Sequence, residues 1–102
     1  MKCDKCGKEV HPRDDMSWVK AKLHNQPAIV LFIGARHLRC SPSRSQYIVH
    51  EDFDSIVDDR PEYDKKNLPE EQRTEYEKTW TDAWVAHRDE VKRLEQEGFL
   101  PK

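Results

Sequence analysis

Aromatic and apolar side chains recur at spacings of three and four over the last third of the chain, where Tyr76, Trp80, Ala83, Trp84, His87, Val91 and Leu94 make one stripe on an otherwise charged segment. That period belongs to an amphipathic helix with one face turned to a core. Leu68-Pro69-Glu70-Glu71 supplies a start, with proline and acidic residues in the first turn, and Gly98 followed by Pro101 supplies a stop. The pattern predicts a helix over 69–97, about 28 residues and roughly 42 Å long. Such a helix is longer than a small unit needs to cover itself. Either part of it projects, or its stripe meets a partner through Trp80 and Trp84.

Upstream, the pattern changes. Met16 to Leu23 and Ala28 to Ile33 have strand character and are separated by His24-Asn25-Gln26-Pro27, whose Asn and Pro favour turns. This predicts a β-hairpin, its second strand continuously apolar and buried on both faces. Ser41 and Pro42 then suit the cap and first position of a short helix. From Glu51 to Leu68 the chain is acidic, irregular and interrupted by Pro61, which predicts a connector pinned by Phe53, Ile56, Val57 and Tyr63.

Composition makes the core problem sharper. Of 102 residues, 37% are charged and 35% hydrophobic, so little apolar surface offsets the entropy of ordering the chain. The formal net charge of −2 conceals a division: nine basic against four acidic residues in 1–50, and nine against sixteen in 51–102. The first half is therefore basic and the second acidic. No apolar run approaches the roughly 20 residues that cross a bilayer, and the first ten residues lack a leader's apolar centre. A cytoplasmic, reducing setting is expected, in which three cysteines serve as metal ligands rather than disulfide partners.

Cys3-x2-Cys6 and His37-x2-Cys40 form two closely spaced pairs of ligands suited to tetrahedral zinc. Gly7 after the second thiol suits the left-handed turn of a zinc knuckle. His11, His24 and His50 are also available as a fourth ligand; the pairing with Cys40 favours His37, with His50 second. Two pairs bracketing a hairpin, the second entering a short helix, resemble the treble-clef and zinc-ribbon class of zinc fingers over roughly residues 1 to 48. The resemblance is to a structural class. With four positions filled the zinc would be closed, holding the fold and leaving no place for a reacting water.

The expected fold is thus α+β: a zinc-stapled hairpin and short helix over 1–50, an acidic connector over 51–68, and a long amphipathic helix over 69–97. Some nucleases share the treble-clef frame. This chain lacks the Asp-His pair on the first strand and the Asn on the helix that such enzymes carry, so no enzymatic activity is expected. Ser41, Ser43 and Ser45 read as capping and solvated residues, and His87 as a packing residue of the stripe. Zinc fingers of this shape often serve nucleic acid, and Lys5, Arg36, Arg39 and Arg44 are the candidates for contact with its backbone. The rival expectation is a protein adaptor or inhibitor acting through the acidic connector and the long helix, with self-association through Trp80 and Trp84.

Overall fold

The computed structural model describes residues 2–24 and 35–98. Three α-helices, α1 (Met16–Leu23), α2 (Pro42–Ser45) and α3 (Glu70–Gln96), are joined by segments containing short 3-10 turns. The long helix matches its sequence pattern. Glu70 and Glu71 stand in its first turn, Arg93 in its last, and Gly98 follows it at φ 83°, a conformation that glycine adopts without strain.

The first arm of the expected hairpin is helical, which corrects the strand expected over Met16–Leu23. Asp15 explains why. Its carboxylate accepts a hydrogen bond from the Ser17 amide at 2.9 Å, and its carbonyl accepts from the amides of Trp18 and Val19. Capped in this way, the segment buries Met16, Trp18, Val19 and Ala21, the consecutive pair Trp18 and Val19 breaking the alternation of a strand with one solvated face. The expected second arm, Ala28–Ile33, lies outside the described residues. Among the described residues the only β pairing is three isolated bridges: Lys2 with Glu9, Cys3 with Ala35, and Asp15 with His37. The hairpin that would complete a treble clef is therefore not seen.

One apolar cluster draws on both charge halves of the chain. Met16 and Val19 of α1, Leu38, Ile48, and Ala83 and Trp84 of α3 are buried together, with Phe53, Ile56 and Trp80 packed against them. The stripe of α3 is thus covered within the chain from Trp80 onward, and Tyr76 remains exposed. The molecule measures 43 Å along its longest axis, close to the length of a helix of 27 residues, and the buried residues of α3 begin at Ala83, so its first turns are largely exposed.

Helix α1 lies on α3 through a mixed seam. The Trp18 ring meets His87 edge-on with centroids 5.3 Å apart, its indole N–H donates to Glu90 Oε1 at 3.2 Å, and Lys22 pairs with the same carboxylate. His87 is fully buried and its Nε2–H donates to the Pro12 carbonyl at 2.8 Å. Arg13 grips the buried Glu95 with two hydrogen bonds, tying the chain ahead of α1 to the end of α3. Glu95 shares the buried face of the helix with Val91, a carboxylate that the apolar stripe alone did not reveal.

The connector is pinned by polar contacts as much as by apolar ones. Gln46, nearly fully buried, donates through its side chain to the Tyr63 carbonyl at 2.7 Å and accepts from the Lys65 amide at 3.0 Å. Lys65 then bridges to Glu77 of α3 at 2.7 Å. Phe53 and Ile56 reach the core as expected, whereas Val57 is 76% exposed and Tyr63 50%. Among the described residues, no helix is long and apolar enough to cross a membrane.

Candidate metal centre

The chain from Cys3 to Glu9 folds back on itself. The Cys3 amide donates to the Lys8 carbonyl at 2.8 Å, and the Gly7 amide donates to the Cys3 carbonyl at 3.0 Å, with Gly7 at φ 77°. An L-residue with a side chain adopts that conformation only at a cost, so the glycine belongs to the turn itself. Within this turn the amides of Lys5 and Cys6 point at the Cys3 sulfur, at 3.4 and 3.5 Å. Such donors favour a thiolate.

The second pair arrives on a 3-10 turn, Leu38–Cys40, whose Cys40 amide donates to the His37 carbonyl at 3.0 Å. The parallel Cys3–Ala35 bridge brings it to the knuckle, through a hydrogen bond from the Asp4 amide to the Ala35 carbonyl at 2.9 Å. The ligand atoms of Cys3, Cys6, His37 and Cys40 all lie within 4.8 Å of one another. Nδ1 of His37 is 3.3 Å from the Cys6 sulfur and 3.8 Å from that of Cys40. Zinc bonds of about 2.0–2.3 Å in a tetrahedron separate their ligand atoms by roughly 3.3–3.8 Å, so these distances suit that ion. The other ring nitrogen, Nε2, lies 2.9 Å from the Glu9 carbonyl. A proton held there leaves Nδ1 with a lone pair directed at the thiols.

Electrostatics at the cluster are those of three crowded sulfurs, with the Arg36 guanidinium near enough to feel Cys3 and Cys40. Burial resists ionisation of Cys3, but the amides around its sulfur outweigh this and bring the thiol down to about 5. Burial pushes Cys40 up to about 11, reinforced by the neighbouring thiols Cys3 and Cys6. His37 is raised, chiefly by its bond to the Glu9 carbonyl and against the opposing effect of burial. A divalent cation would relieve the repulsion among the thiolates and hold all three deprotonated. The three cysteines are free thiols, as a ligand set requires. Their sulfurs differ in access: Cys3 is buried, Cys40 half-buried and Cys6 exposed.

The other histidines stand apart from the cluster. His50 packs against Trp84 with ring centroids 5.1 Å apart, and its Nδ1 accepts from the Asp52 amide at 3.0 Å. His11 caps a 3-10 turn by accepting from the Arg13 amide, and His24 ends α1.

Of the four cations proposed for a nucleic-acid backbone, Lys5, Arg36 and Arg44 line one polar cavity of about 280 Å³ beside Cys40. Arg39 does not join them; its guanidinium lies 3.6 Å from the Asp14 carboxylate. In its place the cavity has Arg60, delivered by the acidic connector. Arg60 holds the buried Asp58 with two 3.0 Å hydrogen bonds, and its cation sits 4.2 Å above the Tyr63 ring. The Asp58-x-Arg60 spacing was a sequence signal for such a local pair. Its position beside the cysteines, distant in sequence, left no local trace.

The serines also depart from expectation. Ser41 stands at the start of α2 without making a side-chain cap, and Ser45 is buried, its hydroxyl donating to the Leu38 carbonyl at 2.6 Å. Trp84 is buried, in edge contact with Phe53 and beneath Arg88, while Trp80 packs against the same core. A larger cavity of about 660 Å³ lies along α3 and shares no residue with the cysteine cluster. Several of its charges pair with one another, Arg13 with Glu95 and Arg88 with Asp52. No protein-family model matches the chain, and comparisons with curated proteins and with solved structures return no significant match.

Proposed function

We propose that this chain is a small zinc-held binding module that engages nucleic acid through the basic surface beside its metal site. The reading is carried by one observation: Lys5 of the knuckle, Arg36 ahead of the second ligand pair and Arg44 of α2 line a single cavity against Cys40. Two segments far apart in sequence, the knuckle and the stretch from Arg36 to Arg44, thus deliver cations to one place, and the ligand cluster is what joins them. Phosphate backbones are met by such groupings of lysine and arginine.

Zinc is the metal that three thiolates and one imidazole select, being borderline soft and content with a tetrahedral site. Cys3, Cys6, His37 and Cys40 would fill all four positions, so the ion would lend stability and orientation and perform no hydrolysis. This accords with a core too small to be generous. The adaptor reading has less support, because Trp84 is spent on the core and Trp80 packs beside it.

Fluorescence anisotropy with labelled single-stranded and duplex oligonucleotides, titrated over about 50–200 mM salt, tests the proposal. Binding that weakens steeply with salt is expected. No binding at the lowest salt contradicts it.

A further inference from the structure

The cavity that contains Lys5 and Arg60 has a neighbour. A second polar cavity, of about 260 Å³, is lined by Met16, Ser17 and Lys20 of α1 and by Asp4, and Arg36, Ser41 and Arg44 line both. The two hollows therefore share a wall that carries two guanidinium groups and a hydroxyl.

Lys5, Lys20 and Arg44 make no ion pair within 4 Å among the described residues. Arg36 spends Nε and Nη2 on Asp4, and Arg60 spends the same atoms on Asp58, so each retains its other Nη as a donor. Those carboxylates also orient the two guanidinium groups. Five cations outnumber the paired carboxylates of Asp4 and Asp58 and the Cys40 sulfur that lines the first hollow, which leaves the walls positive. The Ser41 and Ser43 hydroxyls have no hydrogen-bond partner among the described residues and are further donors available to an oxyanion. Neither cavity has an aromatic side chain in its lining, so neither offers a surface on which a base could stack.

We infer that the two hollows seat successive phosphates of one polynucleotide backbone, Arg60 completing one seat and Lys20 the other, and that binding ignores base identity. Two seats with a common wall suit a polymer with repeating phosphates better than a lone phosphate ester. Cations and hydroxyls without a stacking platform read the backbone alone. The acidic connector then has a specific part in binding, since it brings Arg60 to a site otherwise built by the basic half. This inference rests on the nucleic-acid reading given above.

The test uses the full metal-loaded chain and labelled oligonucleotides of mixed and homopolymeric sequence over about 50–200 mM salt. Lys20→Ala and Arg60→Ala should each lower the slope of log affinity against log salt by about 0.7–0.9, the loss of one phosphate contact. Arg39→Ala, whose side chain pairs with Asp14 outside both hollows, should leave the slope unchanged. Because Arg60 also supports the buried Asp58, Ser43→Glu provides a second route into the first seat without touching that pair. It should weaken binding at least about tenfold while zinc content and circular dichroism stay as in the parent. Parent binding that ignores both Lys20→Ala and Ser43→Glu overturns the seats and leaves the nucleic-acid reading standing. A preference above about tenfold for one homopolymer overturns the claim of base indifference. No binding by the parent chain at low salt overturns both readings together.

Discussion

The His37 Nε2 atom lies 2.9 Å from the carbonyl oxygen of Glu9, and this contact sets which nitrogen faces the three cysteines. Glu9 sits opposite Lys2 in the bridge that closes the knuckle, so the turn presenting Cys3 and Cys6 also orients the histidine. The first half of the ligand set thereby positions part of the second. The expected consequence is metal bound through Nδ1 with Nε2 protonated, which nitrogen-15 NMR of the imidazole reads directly. His37→Cys should retain metal, because a fourth thiolate is also a zinc ligand, and His37→Ala should lose at least about tenfold in affinity. Equal metal affinity in His37→Ala and the parent would remove His37 from the site.

Asp15 gives a test of the helix that replaces the expected strand. Its carboxylate caps α1 at the Ser17 amide, so Asp15→Ala should lower stability by about 0.5–2 kcal/mol, and Asp15→Asn by less. Chemical denaturation measures both. Carbon chemical shifts over Met16–Leu23 should be helical in the parent protein; strand-like shifts there would refute the assignment.

His87 makes stability depend on pH. Burial holds its imidazole down to about 4, with Lys22 adding to the effect and the bond to the Pro12 carbonyl opposing it. Trp18 and Glu90 complete its polar and aromatic surroundings at the seam with α1. The folded value lies below the unfolded one, near 6.5, so acid favours the unfolded chain. The contribution is flat above about pH 6.5 and is lost as pH falls from there toward 4, by about 3 kcal/mol in all. Since the cysteine and histidine side chains of the cluster also take up protons in acid, the quantity to measure is the stability difference between the parent and His87→Gln. That difference should shift against the parent on acidification. A constant difference from pH 7 to 4.5 contradicts the assignment.

Trp84 joins the two halves of the chain, lying in one buried cluster with Met16, Val19, Leu38 and Ile48. Trp84→Ala should lower stability by about 3–5 kcal/mol, a large share of what a domain of this size possesses. Light scattering of the parent protein adds a second reading: a monomer fits a stripe satisfied within the chain, whereas a tight dimer would return Trp80 and Trp84 to an intermolecular role.

The cluster of Cys3, Cys6, His37 and Cys40 was legible because ligand chemistry imposes short spacings that survive without tertiary context, and Gly7 was legible because its turn demands a left-handed backbone. Helix α3 was legible through a long period and strong end signals. Helix α1 was not, for a physical reason. Over eight residues the alternation of Val19 and Ala21 with Lys20 and Lys22 fits a strand, while Met16 and Val19 fit a helix. Asp15 settles the matter through a cap whose value depends on the chain entering from the 3-10 turn before it. That Arg60 rather than Arg39 lines the cavity beside Cys40 was hidden for a similar reason. Which guanidinium reaches the cavity is decided by Asp14 and by the path of the connector, and neither is encoded locally.

The central claim is that Cys3, Cys6, His37 and Cys40 hold one zinc ion on which the fold depends, and elemental analysis combined with a chelator titration followed by circular dichroism tests it most directly. One zinc per chain is expected in the purified protein, with loss of folded structure as the chelator removes it and recovery when zinc is restored. A folded protein without stoichiometric metal, or one whose spectrum is unchanged after complete chelation, would contradict the account.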